Sequence, residues 1–388
     1  MENQLTSEIK HILRFIFDTL DTPSFSDNSL MNGKAGHILF MCNYLNYHNI
    51  NEDQKFSDSF GRLTESLNFI TYPGHCTGRS GINWLFSYLT FNNILEKKDN
   101  LIIRFKNDEL QMECMRLAQM GNYGFLHGAI GVAYAILNST NLSNNESFFV
   151  DLFQRIRTNL LENNGLVHHF DFSILSQDLT RVNLGLAHGI TGIIKFCIEC
   201  QRRGVCKNES ASLCKELVLY LRKNVNQNHS VSYFPKMINT RAKSEEINSR
   251  LSWCYGDLGI SFILYQVGKC FKDTELMSFA VEILEKHAIN IANNNEINDI
   301  GLCHGRAGIL HIFNKMWLLT GRFSFKEAST FCVKKTLKEF NQIKSRLTIK
   351  ETSNIDDYSL IFGSAGVGLA LLSYINSDTE WDDCFFLN

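Results

Sequence analysis

Seven Gly-x-x-Gly pairs run along this chain of 388 residues, and an apolar run follows each one. The pairs are Gly33/Gly36, Gly78/Gly81, Gly128/Gly131, Gly189/Gly192, Gly256/Gly259, Gly305/Gly308 and Gly363/Gly366. Their first glycines lie 45, 50, 61, 67, 49 and 58 residues apart by subtraction. One such pair means little. Seven in phase with apolar runs are the signature of a repeat architecture. The runs (HILFMCNYL, INWLFSYLTF, VAYAILN, IIKFCIEC, ISFILYQVG, ILHIFNKMWLL and VGLALLSYI) are apolar on most faces, which suits helices buried on all sides. Ahead of each pair lies a more amphipathic stretch: 5–20, 56–70, 101–120, 147–161, 211–224, 274–291 and 325–340. Apolar residues recur there near i, i+3, i+4 and i+7. Each repeat therefore reads as an amphipathic helix, a loop and a buried helix, with fourteen helices in all. The glycines let helix starts turn sharply and pack where Cβ atoms would collide.

A repeat array stays open as a solenoid or closes on itself. The first and last repeats carry the glycine pair like the others, and no polar capping repeat is evident. The expectation is an all-α fold, a single α/α toroid over residues 1–388. Buried helices form its inner ring and amphipathic helices its outer ring, and the glycine-led starts converge at one end. The segments before Gly189 and Gly256 are longer than a hairpin needs. Long loops on such a face usually serve binding, and residues 231–234 read as a short strand.

The formal charge of −2 gives no electrostatic case for nucleic acid or an anionic membrane. The N-terminus lacks a basic region followed by an apolar one, and no apolar run reaches the length of a transmembrane helix. A cytoplasmic location is expected. There the twelve cysteines are read as metal ligands or buried thiols before disulfides. Only three prolines occur, which favours long uninterrupted helices.

The residue ahead of the first glycine is unremarkable in three repeats: Asn32, Thr77 and Phe362. In the other four, His127, His188, Cys254-Tyr255 and Cys303-His304 stand there. Ligand and acid–base residues at equivalent positions suggest a shared site. Cys254, Cys303 and His304 make three soft ligands, the number a catalytic zinc uses while keeping one position open. Helix starts also stabilise thiolate. The plainer reading is two buried thiols and a hydrogen-bonded histidine. Without a short Cys-x-x-Cys spacing, the pattern alone leaves both open. Cys197 and Cys200 do have that spacing, but inside an apolar run, and read as buried thiols. His168 and His169 lie in a loop, as a solvated pair or part of a binding surface. His127 reads as a capping or packing residue, and Asp257 as an acid favoured at a helix start whatever the function. No phosphate loop, dinucleotide fingerprint or nucleophile elbow is found.

The stretches NLGLAHGITGI (183–193), RLSWCYGDLGI (250–260) and GLCHGRAGIL (301–310), with the terminal EWDDCFFL, resemble the LanC-type lanthionine cyclases. The resemblance spans all seven repeats. It implies an α/α toroid with Zn2+ on Cys254, Cys303 and His304. It implies thioether formation between a peptide cysteine and a dehydroalanine or dehydrobutyrine. His188 then corresponds to the family's acid–base histidine, and Tyr255 is its helper. The resemblance also implies a stand-alone cyclase. Its substrate would be a leader-bearing precursor peptide dehydrated by a separate dehydratase, in a complex that can include a transporter. The chain departs from the family in one place: Gly124 stands where an aspartate is common. Asn122, His127, Asp171 and Asp178 are candidates for its role. The departure keeps open the alternative of a LanC-like zinc protein that binds a peptide or small thiol without closing rings. Prenyltransferases and toroid glycosidases are helical barrels too. A glycosidase needs paired carboxylates, and none stands out near the glycine-led starts.

Overall fold

The computed structural model describes residues 2–20, 27–96, 107–138, 145–161, 181–226, 232–239, 249–294, 297, 299–348 and 355–388. Fourteen α-helices occur among the described residues, and they alternate as the repeats require. The amphipathic members are α1 (Glu2–Thr19), α3 (Gln54–Glu65), α5 (Asn107–Gln119), α7 (Glu146–Leu161), α9 (Lys207–Lys223), α11 (Thr274–Ile289) and α13 (Phe323–Thr348). The glycine-led members are α2 (Lys34–Tyr47), α4 (Arg79–Phe91), α6 (Ala129–Leu137), α8 (Ile190–Arg203), α10 (Asp257–Phe271), α12 (Arg306–Thr320) and α14 (Ser364–Asn376).

Burial separates the two kinds. Every residue of α8 from Ile190 to Cys200 is buried, and so is every residue of α10 from Asp257 to Gly268. In α9 only Ser210, Leu213, Cys214, Leu217, Val218 and Leu221 are buried, a single stripe at helical spacing. The second glycine of six pairs is explained by contact. At Gly36, Gly131, Gly192, Gly259, Gly308 and Gly366 a Cβ would collide with the carbonyl oxygen six residues back. The chain folds onto itself there before entering the helix.

The chain divides into two compact units. One comprises Met1–Tyr72, Cys76–Arg104 and Glu285–Asn388; the other comprises Pro73–His75 and Phe105–Leu284. In the first, α1 packs on α13 and α14, and α2 packs on α14. The first repeat thus sits directly against the last, as closure of the array requires. Ile361 N–H donates to Met31 O at 3.0 Å across that contact. The chain end is built in as well. The turn Glu380–Phe385 buries Trp381, Asp382, Cys384 and Phe385. Asp382 accepts from Lys315 Nζ at 2.6 and 2.7 Å and pairs with His311 Nε2 at 2.7 Å. Trp381 Nε1 donates to Ser373 Oγ at 2.7 Å.

In the second unit the long segments supply β1 (Arg181–Asn183) and β2 (Met237–Asn239), an antiparallel pair with Val182 opposite Ile238. The strand expected at residues 231–234 is therefore displaced. Residue 231 lies outside the described residues. The N–H groups of Tyr233 and Phe234 both donate to the Asp257 carboxylate at 2.8 Å. Those donors serve the start of α10 instead of a ladder, and pairing begins only at Met237.

Candidate functional site

Each repeat presents the same two-residue device ahead of its first glycine. Two positions before that glycine stand Met31, Cys76, Leu126, Ala187, Cys254, Cys303 and Ile361, all buried. One position before stand Asn32, Thr77, His127, His188, Tyr255, His304 and Phe362, all half-buried. The buried residues are tied together by their main chains. In the second unit Leu126 N–H donates to Ala187 O at 3.2 Å, and Ala187 N–H to Cys254 O at 3.3 Å. In the first unit Cys303 N–H donates to Ile361 O, Ile361 N–H to Met31 O, and Met31 N–H to Cys76 O, at 3.0 to 3.1 Å. The half-buried residues are thereby set in a row, which is how distant sequence positions become neighbours.

In the second unit this row carries three of the candidates. The His127 and His188 rings are 5.9 Å apart between centroids and inclined by 18°. The His188 and Tyr255 rings follow at 5.8 Å and 29°. Lys236, the residue before β2, places Nζ 5.0 Å from the Tyr255 ring centre, a cation–π contact. Leu184 N–H donates to Lys236 O, so the two-stranded sheet is what brings this lysine to the row. Gly185 is the seat of Tyr255: a Cβ there would meet Tyr255 Cδ1 at 2.9 Å and collide with Cys254 O. Cys254 Sγ lies 3.6 Å from Ser252 Oγ, and that hydroxyl donates to Tyr255 O at 2.9 Å. Gly256, next in the chain, has φ +77° and ψ −162°. That region is essentially closed to residues with a Cβ. The Trp253-Cys254-Tyr255-Gly256 loop can be made only with glycine last.

In the first unit Cys303 is 7% exposed and His304 stands beside it, half-buried. The His304 ring lies 5.4 Å from that of Phe362. Its Nδ1 faces Asp299 Oδ2 at 3.5 Å. Asp299 was not among the residues singled out from sequence, although its spacing to His304 repeats that of Asn122 to His127 and Asn183 to His188.

Two thiols and an imidazole are the donor types zinc prefers; Cys254 belongs to the second unit, and Cys303 and His304 to the first. Among the described residues no group of three or more His, Cys, Asp or Glu is gathered so that it could hold a metal. Cys197 and Cys200 are fully buried free thiols, and burial pushes both well above their ordinary pKa. They are core residues, as expected. His168, His169, Asp171 and Asp178 lie outside the described residues. Gly124 belongs to a tight turn whose N–H faces Asn122 Oδ1 at 3.4 Å and whose carbonyl accepts from Gly128 N–H at 2.9 Å. A Cβ on Gly124 would lie 3.7 Å from the His188 Cα, at ordinary contact distance.

With a half-buried histidine–tyrosine row in one unit and a Cys-His pair at a glycine-led helix start in the other, comparison with known proteins becomes informative. The family model for "Lanthionine synthetase C-like protein" matches residues 22–386. The chain therefore belongs to the lanthionine synthetase C-like family. Among individual proteins it is 23% identical to "Nisin biosynthesis protein NisC" of Lactococcus lactis subsp. lactis, over 94% of this chain and 90% of that protein. The solved structure of "Nisin cyclase" superimposes with a TM-score of 0.74 at 18% identity, covering 100% of this chain and 98% of that one. That match and the alternating helices bear out the all-α fold class. Among the described residues, no helix is long and apolar enough to cross a membrane.

Proposed function

We propose that this protein is a zinc-dependent lanthionine cyclase, acting on a peptide that carries cysteines and dehydrated serine or threonine residues. The observation that carries the reading is the row of His188 and Tyr255 beside Cys254, in a chain of the lanthionine synthetase C-like family. Cys254, Cys303 and His304 would hold the zinc, and residues 1–388 would act as one domain. When bound, the ion supplies a Lewis acid that lowers the pKa of the substrate thiol near neutral pH.

The chain's own residues do the rest. Addition forms a bond from the peptide sulfur to the alkene β-carbon and places negative charge on the α-carbon and its carbonyl. Tyr255, held over Gly185, offers its hydroxyl to that developing oxyanion. His188 carries the proton that ends on the α-carbon. The thiol proton is lost and one proton is gained, so the product is an isomer of the substrate. Lys236 adds positive charge next to Tyr255, which favours the anionic stage. A separate dehydratase must supply the alkene, because nothing in this reaction removes water.

The test is a thiol count. Purified protein with zinc is incubated with a dehydrated cysteine peptide, and remaining thiols are alkylated and counted by mass. The expected result is loss of alkylatable thiol with no change in peptide mass. His188→Asn should keep zinc and slow closure by about 10²- to 10⁴-fold, the usual contribution of a general acid–base group. A constant thiol count for the zinc-loaded wild type would overturn the cyclase reading.

A further inference from the structure

The buried lysines and arginines among the described residues, Lys195, Arg306 and Lys315, each face a carboxylate. Lys195 Nζ lies 2.5 Å from Glu199 Oε1, Lys315 Nζ 2.6 Å from Asp382 Oδ2, and Arg306 Nη2 2.8 Å from Glu339 Oε1. Lys236 is half-buried and departs from that pattern. Among the described residues no carboxylate lies within ion-pair distance of its Nζ, which instead sits 5.0 Å from the Tyr255 ring centre. Asp257 does not serve it. That acid is buried, and its two oxygens accept from Tyr233 and Phe234 N–H at 2.8 Å.

A ring face attracts an ammonium but leaves its charge and its N–H donors in place. Removing part of the water from such a group costs free energy unless an anion joins it. The main chain at this lysine is fixed: its carbonyl accepts from Leu184 N–H at 3.3 Å, and the next residue, Met237, pairs with Asn183. The ring centres of His127, His188 and Tyr255 follow one another at 5.9 and 5.8 Å, and Lys236 Nζ comes next. Side chains on one face of an extended peptide repeat every two residues, at about 6.6 Å. The spacings are comparable, so alternate residues of a bound peptide can meet successive members of the row.

We propose that Lys236 is a specificity-determining residue that binds a carboxylate of the peptide substrate. The inference rests on the cyclase reading for the kind of substrate, and on no metal. With the dehydrated residue at His188 and Tyr255, the carboxylate belongs to an aspartate or glutamate two residues away, or to a C-terminus at that distance. Glutamine at the same place has nearly the same shape and no charge.

The test is binding to the full-length protein, read by fluorescence anisotropy. The probes are synthetic peptides with one dehydroalanine, alanine in place of cysteine so that no ring can close, and an uncharged fluorophore. Glutamate or glutamine stands two residues before or after the dehydroalanine, and the C-terminus is amidated or free. On one side of the dehydroalanine, glutamate should bind wild type about 10-fold tighter than glutamine, the scale of a charge-assisted hydrogen bond. The preference should shrink as salt rises. Lys236→Met should lose it while binding the amidated glutamine peptide as wild type does, and Lys236→Arg should keep most of it. A preference seen only with the free C-terminus, and lost in Lys236→Met, would uphold the inference and assign the carboxylate to the peptide end. No binding by wild type, equal affinities for acid and amide peptides, or a preference that survives Lys236→Met would overturn it. Because no ring closes in this assay, a charge preference in a protein that fails the thiol count would remove the cyclase reading and keep the carboxylate site.

Discussion

Gly256→Ala should damage the protein more than its one added methyl group suggests. Six of the seven first glycines have φ between −106° and −132°, a range open to any residue. Gly256 alone has φ +77° with ψ −162°. Holding a residue with a Cβ in that region costs about 1–3 kcal/mol. The added Cβ would also collide with Arg250 O and meet Ser249 Oγ at 2.5 Å, so the loop must shift to admit it. The expected loss is therefore at the upper end of that range or beyond. Gly61→Ala is the control. Gly61 lies within α3, and a Cβ there meets no atom within 4 Å. Alanine at that site should add about 0.5–1 kcal/mol through helix propensity. Urea unfolding followed by tryptophan fluorescence reads both, and Trp253, buried three residues before Gly256, reports on the loop. The midpoint should fall for Gly256→Ala and rise for Gly61→Ala. Equal midpoints for Gly256→Ala and wild type would refute the strain argument.

Two further outcomes follow from individual residues. Cys303→Ala should abolish stoichiometric zinc uptake, and full occupancy by metal analysis would mean the ligand set is wrong. Acid should loosen the buried chain end in two stages. Burial lowers the His311 pKa despite its bond to Asp382, so His311 contributes stability that is present above about pH 6.5 and is lost as pH falls below it. Burial alone would raise Asp382, but Lys315 and His311 outweigh it and hold the carboxyl below its ordinary value. Its contribution is present above about pH 4 and disappears as pH falls further. Unfolding midpoints between pH 8 and pH 3 should show both steps, and His311→Gln should remove the upper one. A wild-type midpoint that stays flat from pH 8 to pH 5 would contradict the first stage.

The chain's order of helices was legible in the residues alone. The amphipathic stretch at 274–291 is α11 (Thr274–Ile289), and the one at 147–161 is α7 (Glu146–Leu161). Helix periodicity and glycine punctuation are local properties, and the spacing of like residues carries them directly. The half-buried position before each glycine was also readable, which is why His127, His188, Tyr255 and His304 were picked out together. The expected strand does not extend over Tyr233 and Phe234, because the partner that takes their N–H groups, Asp257, lies more than twenty residues further on.

Tertiary structure alone decided which of these residues act on one another. The gap of His188 from Tyr255 in sequence is filled by a main-chain bond from Ala187 to Cys254 and by the absence of a side chain at Gly185. Lys236 reaches the row through strand pairing, and Asp299 differs from Asn122 in what its second terminal atom faces. Periodicity records which face of a helix meets the core. Polar pairs between separate turns depend on where the packed helices place those turns, and no spacing along the chain encodes that distance.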